Sequence, residues 1–404
     1  MNGGLDSGNG IDQAPRKTDP QGMRTAFLVL LVVAGGFRFV EEPAQEVPAK
    51  PPIEIRLVGS STPDLERRIS EIQSGFPALK RHRTRRFEIL TDLSGPEAAR
   101  DGQLLERTAH AVDDFGLALG YPSELGTERP VRHLVIAFAG RDDFIRFSRG
   151  QDQVDGTWLG GYFSPAGPHL VYYNAAEHPA VRRARERLDR GSQGVGPDHE
   201  VLDEFVTKAN AAVVVHEATH MLLHDRGIAP ADSQQSDWLL EGLAGSFEPA
   251  QRSQRFGPLR PLNARTNEFR ELLLTGDQTD LHDLVSCPRF PREGQRSNAY
   301  YATSAALCSW LARNRPRELR RYLDLANGSR HEANSTNLGT SMVEGNLEGG
   351  GSTPRTRETK ATAVLEFEQV FGDLDHLQEV WIRSERASAS IPVANATLDH
   401  ADQR

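Results

Sequence analysis

Val213-Val214-Val215-His216-Glu217-Ala218-Thr219-His220-Met221-Leu222-Leu223-His224 is the segment from which the rest of the chain is best read. Residues four apart share one face of an α-helix, so the imidazoles of His216 and His220 can point at one ion. Glu217 projects beside them, where a carboxylate can take a proton from a water held by that ion. The neighbours are apolar, which predicts a buried helix. Two histidines and a glutamate on a buried helix call for a compensating charge, and a metal would supply it. His224 continues the i+4 series but lies eight residues beyond His216, a rise of about 12 Å, whereas a zinc–nitrogen bond spans about 2 Å. It is therefore expected to be a polar neighbour of the site and not a ligand.

A third ligand is expected in Ser236-Asp237-Trp238-Leu239-Leu240-Glu241-Gly242-Leu243-Ala244-Gly245. Glu241 stands 21 residues after His220, enough for one helix to end, a loop to turn over Gly227 to Gln235, and a second helix to return antiparallel. Pro230 and an Asp/Ser cluster supply the turn chemistry. No Lys or Arg lies between Gly227 and Pro249 to pair with Glu241, and Gly242 and Ala244 would allow close helix–helix approach. Two histidines and one glutamate leave a fourth position open, the arrangement of a catalytic zinc and not a structural one. Zn2+ is the expected cofactor, held by His216, His220 and Glu241.

HExxH followed by the W-x-x-E-G-x-A stretch from Trp238 to Ala244 resembles the gluzincin metallopeptidases, the clan of thermolysin and the aminopeptidase N-like enzymes. Within that clan the chain is most similar to the peptidase MA-like bacterial proteins. The resemblance extends over most of residues 85–385, through Thr91-Asp92, Gly160-Gly161-Tyr162-Phe163, a later Tyr-containing helix and Phe371-Gly372. It implies an α+β, zincin-like domain with an N-terminal mixed sheet, the HExxH helix and a mainly helical C-terminal part. It also implies zinc-dependent hydrolysis of a peptide or protein substrate, with Glu217 as general base and then proton shuttle. Tyr301-Ala302-Thr303-Ser304-Ala305-Ala306-Leu307 fits the Y-x-x-G-x-A-L form that carries an oxyanion-stabilising tyrosine in the aminopeptidase branch, with Ser304 in place of glycine. Core packing of Tyr300 or Tyr301 is the alternative.

Departures from the pattern narrow the expected activity. No G-x-M-E-N stretch precedes the HExxH, so the glutamate that captures a free amino terminus is not evident. His169 to Asn174 stands in the comparable place, as a substrate-flanking edge strand without a carboxylate, which favours an endopeptidase. Gly245 occupies the position of thermolysin's carboxylate four residues after the third ligand, leaving the groups that orient the histidines unassigned. A non-catalytic exported binding protein on the same scaffold is the competing reading.

Charge and composition set outer bounds. The net charge of -9 disfavours a nucleic-acid partner. A hydrophobic fraction of 38% with 25% charged residues fits a soluble globular part with polar flanks. The basic run Lys80, Arg81, His82, Arg83, Arg85, Arg86 reads as a solvated approach to a strand. Residues 1–22 are polar and expected to be disordered. Residues 23–37, opening on Met23-Arg24 with an apolar run from Thr25 to Phe37, read as a signal peptide or short anchor. Export to the periplasm or beyond follows, with membrane contact only through this segment if it stays uncleaved.

A linker over 38–52 leads to an α/β part over 53–200. Its strands are expected at Ile53 to Leu57, Phe87 to Asp92, Val131 to Phe138 and His169 to Tyr173, with a charged surface insertion over Ala175 to Glu200. Catalytic helices are expected over 201–326, a flexible insertion over 327–360, a C-terminal helix over 361–386 and a disordered tail over 387–404. Cys287 and Cys308 could form one disulfide or remain two buried thiols.

Overall fold

The computed structural model describes residues 62–122, 132–165, 167–191, 196–229, 236–251, 255–260, 263–287, 289–291, 294–336 and 354–389. The strand expected at Ile53 to Leu57, the signal-like segment and most of the polar tail lie outside these. The N-terminal part runs α1 (Thr62–Gly75), β1 (Lys80–Arg83), β2 (Phe87–Thr91), α2 (Gly95–Ala118), β3 (His133–Phe138), α3 (Arg141–Phe147), β4 (Gly161–Ser164) and β5 (His169–Tyr173). Helices then follow one another: α4 (Pro179–Gly191), α5 (Pro197–Asp225), α6 (Asp237–Ser246), α7 (Ala264–Thr275), α8 (Leu281–Ser286), α9 (Gly294–Asn314), α10 (Pro316–Thr336), α11 (Pro354–Phe371) and α12 (Leu374–Ala389). The chain is thus α+β, with a mixed sheet on its N-terminal side and a mostly helical C-terminal part.

The sheet order is β1-β2-β3-β5-β4. Strands β2, β3 and β5 are parallel, and the two edge strands are antiparallel to their neighbours. Parallel strands are covered on both faces, which explains the apolar run Leu134-Val135-Ile136-Ala137-Phe138. Ile89, Val135, Ala137, Leu170 and Tyr172 face the cluster built by α2 and α5. Leu90, Leu134, Ile136, Phe138, Val171 and Tyr173 face α1 and α3 on the other side.

Lys80 to Arg83 of the basic run form β1, a charged edge strand of the kind that discourages further pairing. Arg81 and Arg83 on β1, with Arg132 just before β3, converge on Glu88 of β2 at 2.8, 2.6 and 2.9 Å. Glu88 is fully buried. Burial opposes its ionisation, but Arg81 and Arg83 outweigh it and hold the carboxyl below its ordinary range. Arg81 and Arg83 thus tie β1 to β2 through Glu88, while Lys80, Arg83 and Arg85 remain exposed.

Several boundaries differ from the sequence reading. The expected surface insertion is largely α4, whose Val181 packs on Leu202, Phe205 and Val206 at the start of α5. Helix α5 begins at Pro197, a residue suited to the first turn. It ends where Gly227 takes φ +62 and the Ile228 N–H bonds the Leu223 carbonyl at 3.0 Å, the usual left-handed stop. Helix α10 continues to Thr336, into the stretch expected to be flexible. The last amphipathic stretch is two helices, broken at Gly372 with φ +86.

Trp238, Phe247, Phe269, Phe367 and Trp381 form the centre of the helical part, each fully or almost fully buried. Phe269 stacks on Trp381 at 4.8 Å, and Trp238 meets Phe367 edge-on at 5.6 Å. Phe115 of α2 meets Phe247, just after α6, at 5.7 Å. The apolar cluster beneath the sheet therefore continues into the helices, and α5 and α6 are fixed against each other by one core. Cys287 and Cys308 are free thiols, so the disulfide alternative is not realised. Among the described residues no helix is long and apolar enough to cross a membrane.

Candidate metal centre

Helix α5 lies against β4 because Gly161 carries no side chain there. A β-carbon on Gly161 would come within 2.8 Å of Val213 Cγ1 and 2.9 Å of the Val171 carbonyl oxygen. One turn beyond Val213, α5 presents His216, Glu217 and His220. Helix α6 brings Glu241 to the same place, and it is positioned from behind by α9. A β-carbon on Gly242 would lie 2.8 Å from the Ser304 carbonyl oxygen and 2.9 Å from Cys308 Sγ. The close approach expected of Gly242 is thus made to α9.

His216 Nε2 is 3.1 Å from Glu241 Oε2 and 3.2 Å from His220 Nε2. Among the described residues these three side chains are the group whose ligand atoms could hold a metal ion, all within 4.8 Å of one another. His224 is not part of it; its ring packs on Phe163 of β4 at 5.4 Å.

The electrostatics favour a cation. Burial alone would depress His216, but its bonds to Glu241 and Glu248 outweigh that and push it up to about 10. The cluster thus binds positive charge, and a divalent ion competes with that proton for the same lone pair. His220 is depressed to about 4, chiefly by burial, and so stays neutral. Glu217 is pushed up to about 7 by burial, with His216 opposing the rise and Glu241 adding to it. The Phe163 backbone N–H works against that rise, which puts β4 beside the Glu217 carboxylate.

That contact corrects the expectation for His169 to Asn174. This segment contains β5, an interior strand between β3 and β4, and the edge strand is β4. The Tyr173 N–H bonds the Gly160 carbonyl at 3.3 Å. Antiparallel alternation then turns the N–H and C=O groups of Gly161 and Phe163 away from β5, toward the open edge. Glu217 sits at this edge.

Two residues of the site were not found from the sequence. Glu248, just after α6, accepts from His216 Nδ1 at 2.9 Å. Arg265 of α7 pairs with Glu248 at 2.9 Å and with Glu268 at 3.1 Å. Burial works against ionised Glu248, but Arg265 and His216 outweigh it and hold the carboxyl below its usual range. Glu248 follows the third ligand by seven residues, beyond the helix itself, so helical periodicity carried no signal for it. A buried arginine on another helix was still less visible.

Tyr301 lies on α9, 5% exposed, edge-on to Phe290 at 5.0 Å. The Arg265 guanidinium lies over its ring at 5.6 Å. Tyr301 thus packs on Phe290 and beneath Arg265. Tyr300 packs on the same Phe290 at 5.3 Å.

Residues 210–331 match the family described as Protein of unknown function (DUF1570), less than a third of the chain. The matched segment contains His216, Glu217, His220, Glu241, Glu248, Arg265 and Tyr301. No curated protein matches the chain.

Proposed function

We propose that this chain is a zinc-dependent hydrolase of the gluzincin type that cleaves internal peptide bonds. The observation that carries the reading is the convergence of His216 Nε2, His220 Nε2 and Glu241 Oε2, with Nε2–Oε2 and Nε2–Nε2 separations of 3.1 and 3.2 Å. Two donors bonded to one tetrahedral zinc at about 2.0–2.1 Å stand about 3.3 Å apart, and both separations from His216 Nε2 match that spacing. Three protein ligands suit a catalytic site with one position left for substrate chemistry.

When bound, zinc supplies Lewis-acid polarisation of the scissile carbonyl and activates water near neutral pH. Glu217 accepts the proton from the attacking water and returns it to the leaving amine. The outward N–H and C=O groups of Gly161 and Phe163 offer an extended substrate a strand to pair with, which favours peptides and holds the backbone beside Glu217. Tyr301 is the proposed oxyanion donor. Export through residues 23–37 belongs to the same reading and is supported by Met23-Arg24 and the apolar run after it.

The test uses the purified chain and a mixed fluorogenic peptide library. About one zinc per chain is expected, lost in His220→Ala. Glu217→Gln should keep its zinc and lose about 10²–10⁴-fold in turnover, while Tyr301→Phe should lower kcat with the fold retained. Zinc binding without any cleavage across the library would instead support a binding protein on this scaffold. Unaltered cleavage by Glu217→Gln would refute the mechanism.

A further inference from the structure

We propose that Glu248 and Arg265 are positioning residues that orient His216 and set its strength as a metal ligand, an inference that rests on the metallohydrolase reading. Metal affinity would then depend on two residues outside the ligand triad and outside the HExxH motif.

An imidazole that binds a metal through Nε2 must keep its proton on Nδ1, and the acceptor at Nδ1 decides both the tautomer and the ring plane. Glu248 Oε1 is that acceptor at 2.9 Å. Its side chain is 5% exposed, so water does not compete for the bond. A lone carboxylate at such a site would be expensive to keep ionised. Arg265 removes the difficulty: its Nε lies 2.9 Å from Glu248 Oε2 and its Nη2 lies 3.3 Å from Oε1. Nη2 donates to Oε1 while the charge at Nε lies beside Oε2, so the guanidinium holds the Glu248 carboxylate next to His216.

Arg265 is itself held in place. Asn263 caps α7 by accepting the Thr266 N–H at 2.7 Å. The Asn263 amide also donates to the Ser246 carbonyl and to Ser309 Oγ, at 3.1 and 3.0 Å. One buried asparagine thus joins the end of α6, the start of α7 and the body of α9, and Arg265 follows two residues later. Glu268 at 3.1 Å takes the remaining face of the guanidinium. The chain from Asn263 through Arg265 and Glu248 to His216 crosses three helices and ends at the ligand nitrogen.

A carboxylate acceptor makes the imidazole a stronger donor, and losing such a partner lowers metal affinity about 10–100-fold. The experiment measures zinc affinity by chelator competition, and the visible absorption of the cobalt(II)-substituted protein, for the wild type and four variants. Glu248→Gln should lose about 10–100-fold in affinity and shift the cobalt bands. The double variant Glu248→Gln/Arg265→Met removes both buried charges together; it should melt near the wild type yet keep the weakened affinity and shifted bands. Glu248→Asp leaves a charge for Arg265 but withdraws the carboxylate from His216, and should show the same loss. Asp143→Asn, on the exposed face of α3, should bind zinc like the wild type.

Wild-type affinity and unshifted cobalt bands in folded Glu248→Asp or in the double variant would overturn the inference while leaving the metal reading intact. A wild-type chain that binds no zinc would overturn that reading and this inference together.

Discussion

Gly242→Ala probes the helix crossing that delivers Glu241. The new β-carbon would lie 2.8 Å from the Ser304 carbonyl oxygen and 2.9 Å from Cys308 Sγ. The carbonyl belongs to the backbone of α9 and cannot swing aside as a flexible side chain would, so α6 and α9 must part by about half an ångström to reach ordinary contact. Overpacking of this kind costs about 1–3 kcal/mol, and the better helix propensity of alanine returns about 1 kcal/mol. The expected net effect is a destabilisation of about 1 kcal/mol, a fall in melting temperature of about 2–4 °C. Gly245→Ala is the control on the same helix. Its β-carbon would meet no α9 backbone atom among its three nearest neighbours, Ala305 Cβ at 3.1 Å, Arg265 Cγ at 3.5 Å and Glu248 Oε1 at 4.0 Å, so it should melt closer to the wild type than Gly242→Ala. Circular dichroism melts measure both, and chelator competition should show weaker zinc binding in Gly242→Ala than in the wild type, since Glu241 precedes the displaced residue. A Gly242→Ala protein that melts at or above the wild type would refute the close-packing argument.

Two further outcomes are expected away from the site. Asp152 accepts from Tyr162 Oη at 2.7 Å and faces His169 Nε2 at 2.7 Å, and all three are largely buried. Asp152→Ala strands both partners and should destabilise the protein by about 3 kcal/mol, read in urea unfolding; a loss below about 0.5 kcal/mol would mean the cluster does not hold the β4–β5 hairpin. His178 is depressed from 6.5 to about 4, first by burial and then by Arg141 and Arg183, and its Nδ1 accepts the Ala180 N–H at 3.2 Å. The folded state therefore binds its proton later than the unfolded state as pH falls. The contribution of His178 is full above pH 6.5 and is lost between 6.5 and about 4. Comparing wild type and His178→Gln by melts across this window should show a smaller loss in the variant, and parallel curves would exclude the assignment.

The helix carrying His216 and His220, and the candidate metal group they form with Glu241, were legible because they rest on local regularities, whereas the α+β class came with the family resemblance. His216 and His220 share a helical face by spacing alone, and eight residues of helical rise put His224 too far along the axis to join them. Glu241 could be named because it is an acidic residue in an apolar stretch with no base nearby in sequence. The apolar run of β3 and the Gly227 stop are similarly local. Strand order was not: whether His169 to Tyr173 lies inside the sheet or at its edge depends on which neighbours pair with it, and the alternation of its side chains is the same either way. The ion pairs of Arg81 and Arg83 were hidden for a related reason, since their partner Glu88 is buried in a neighbouring strand and only the sheet register brings it across from Arg83.

Sequence by itself determined the helix that carries His216, Glu217 and His220, because helical spacing is a property of the chain over a few residues. Tertiary structure alone decided that α6 closes on the same point, that β4 presents Phe163 to Glu217, and that Glu248 and Arg265 stand behind His216. Those contacts join α5, α6, α7 and the sheet edge, and their energies depend on burial and on charges meeting at about 3 Å, which no short-range periodicity encodes.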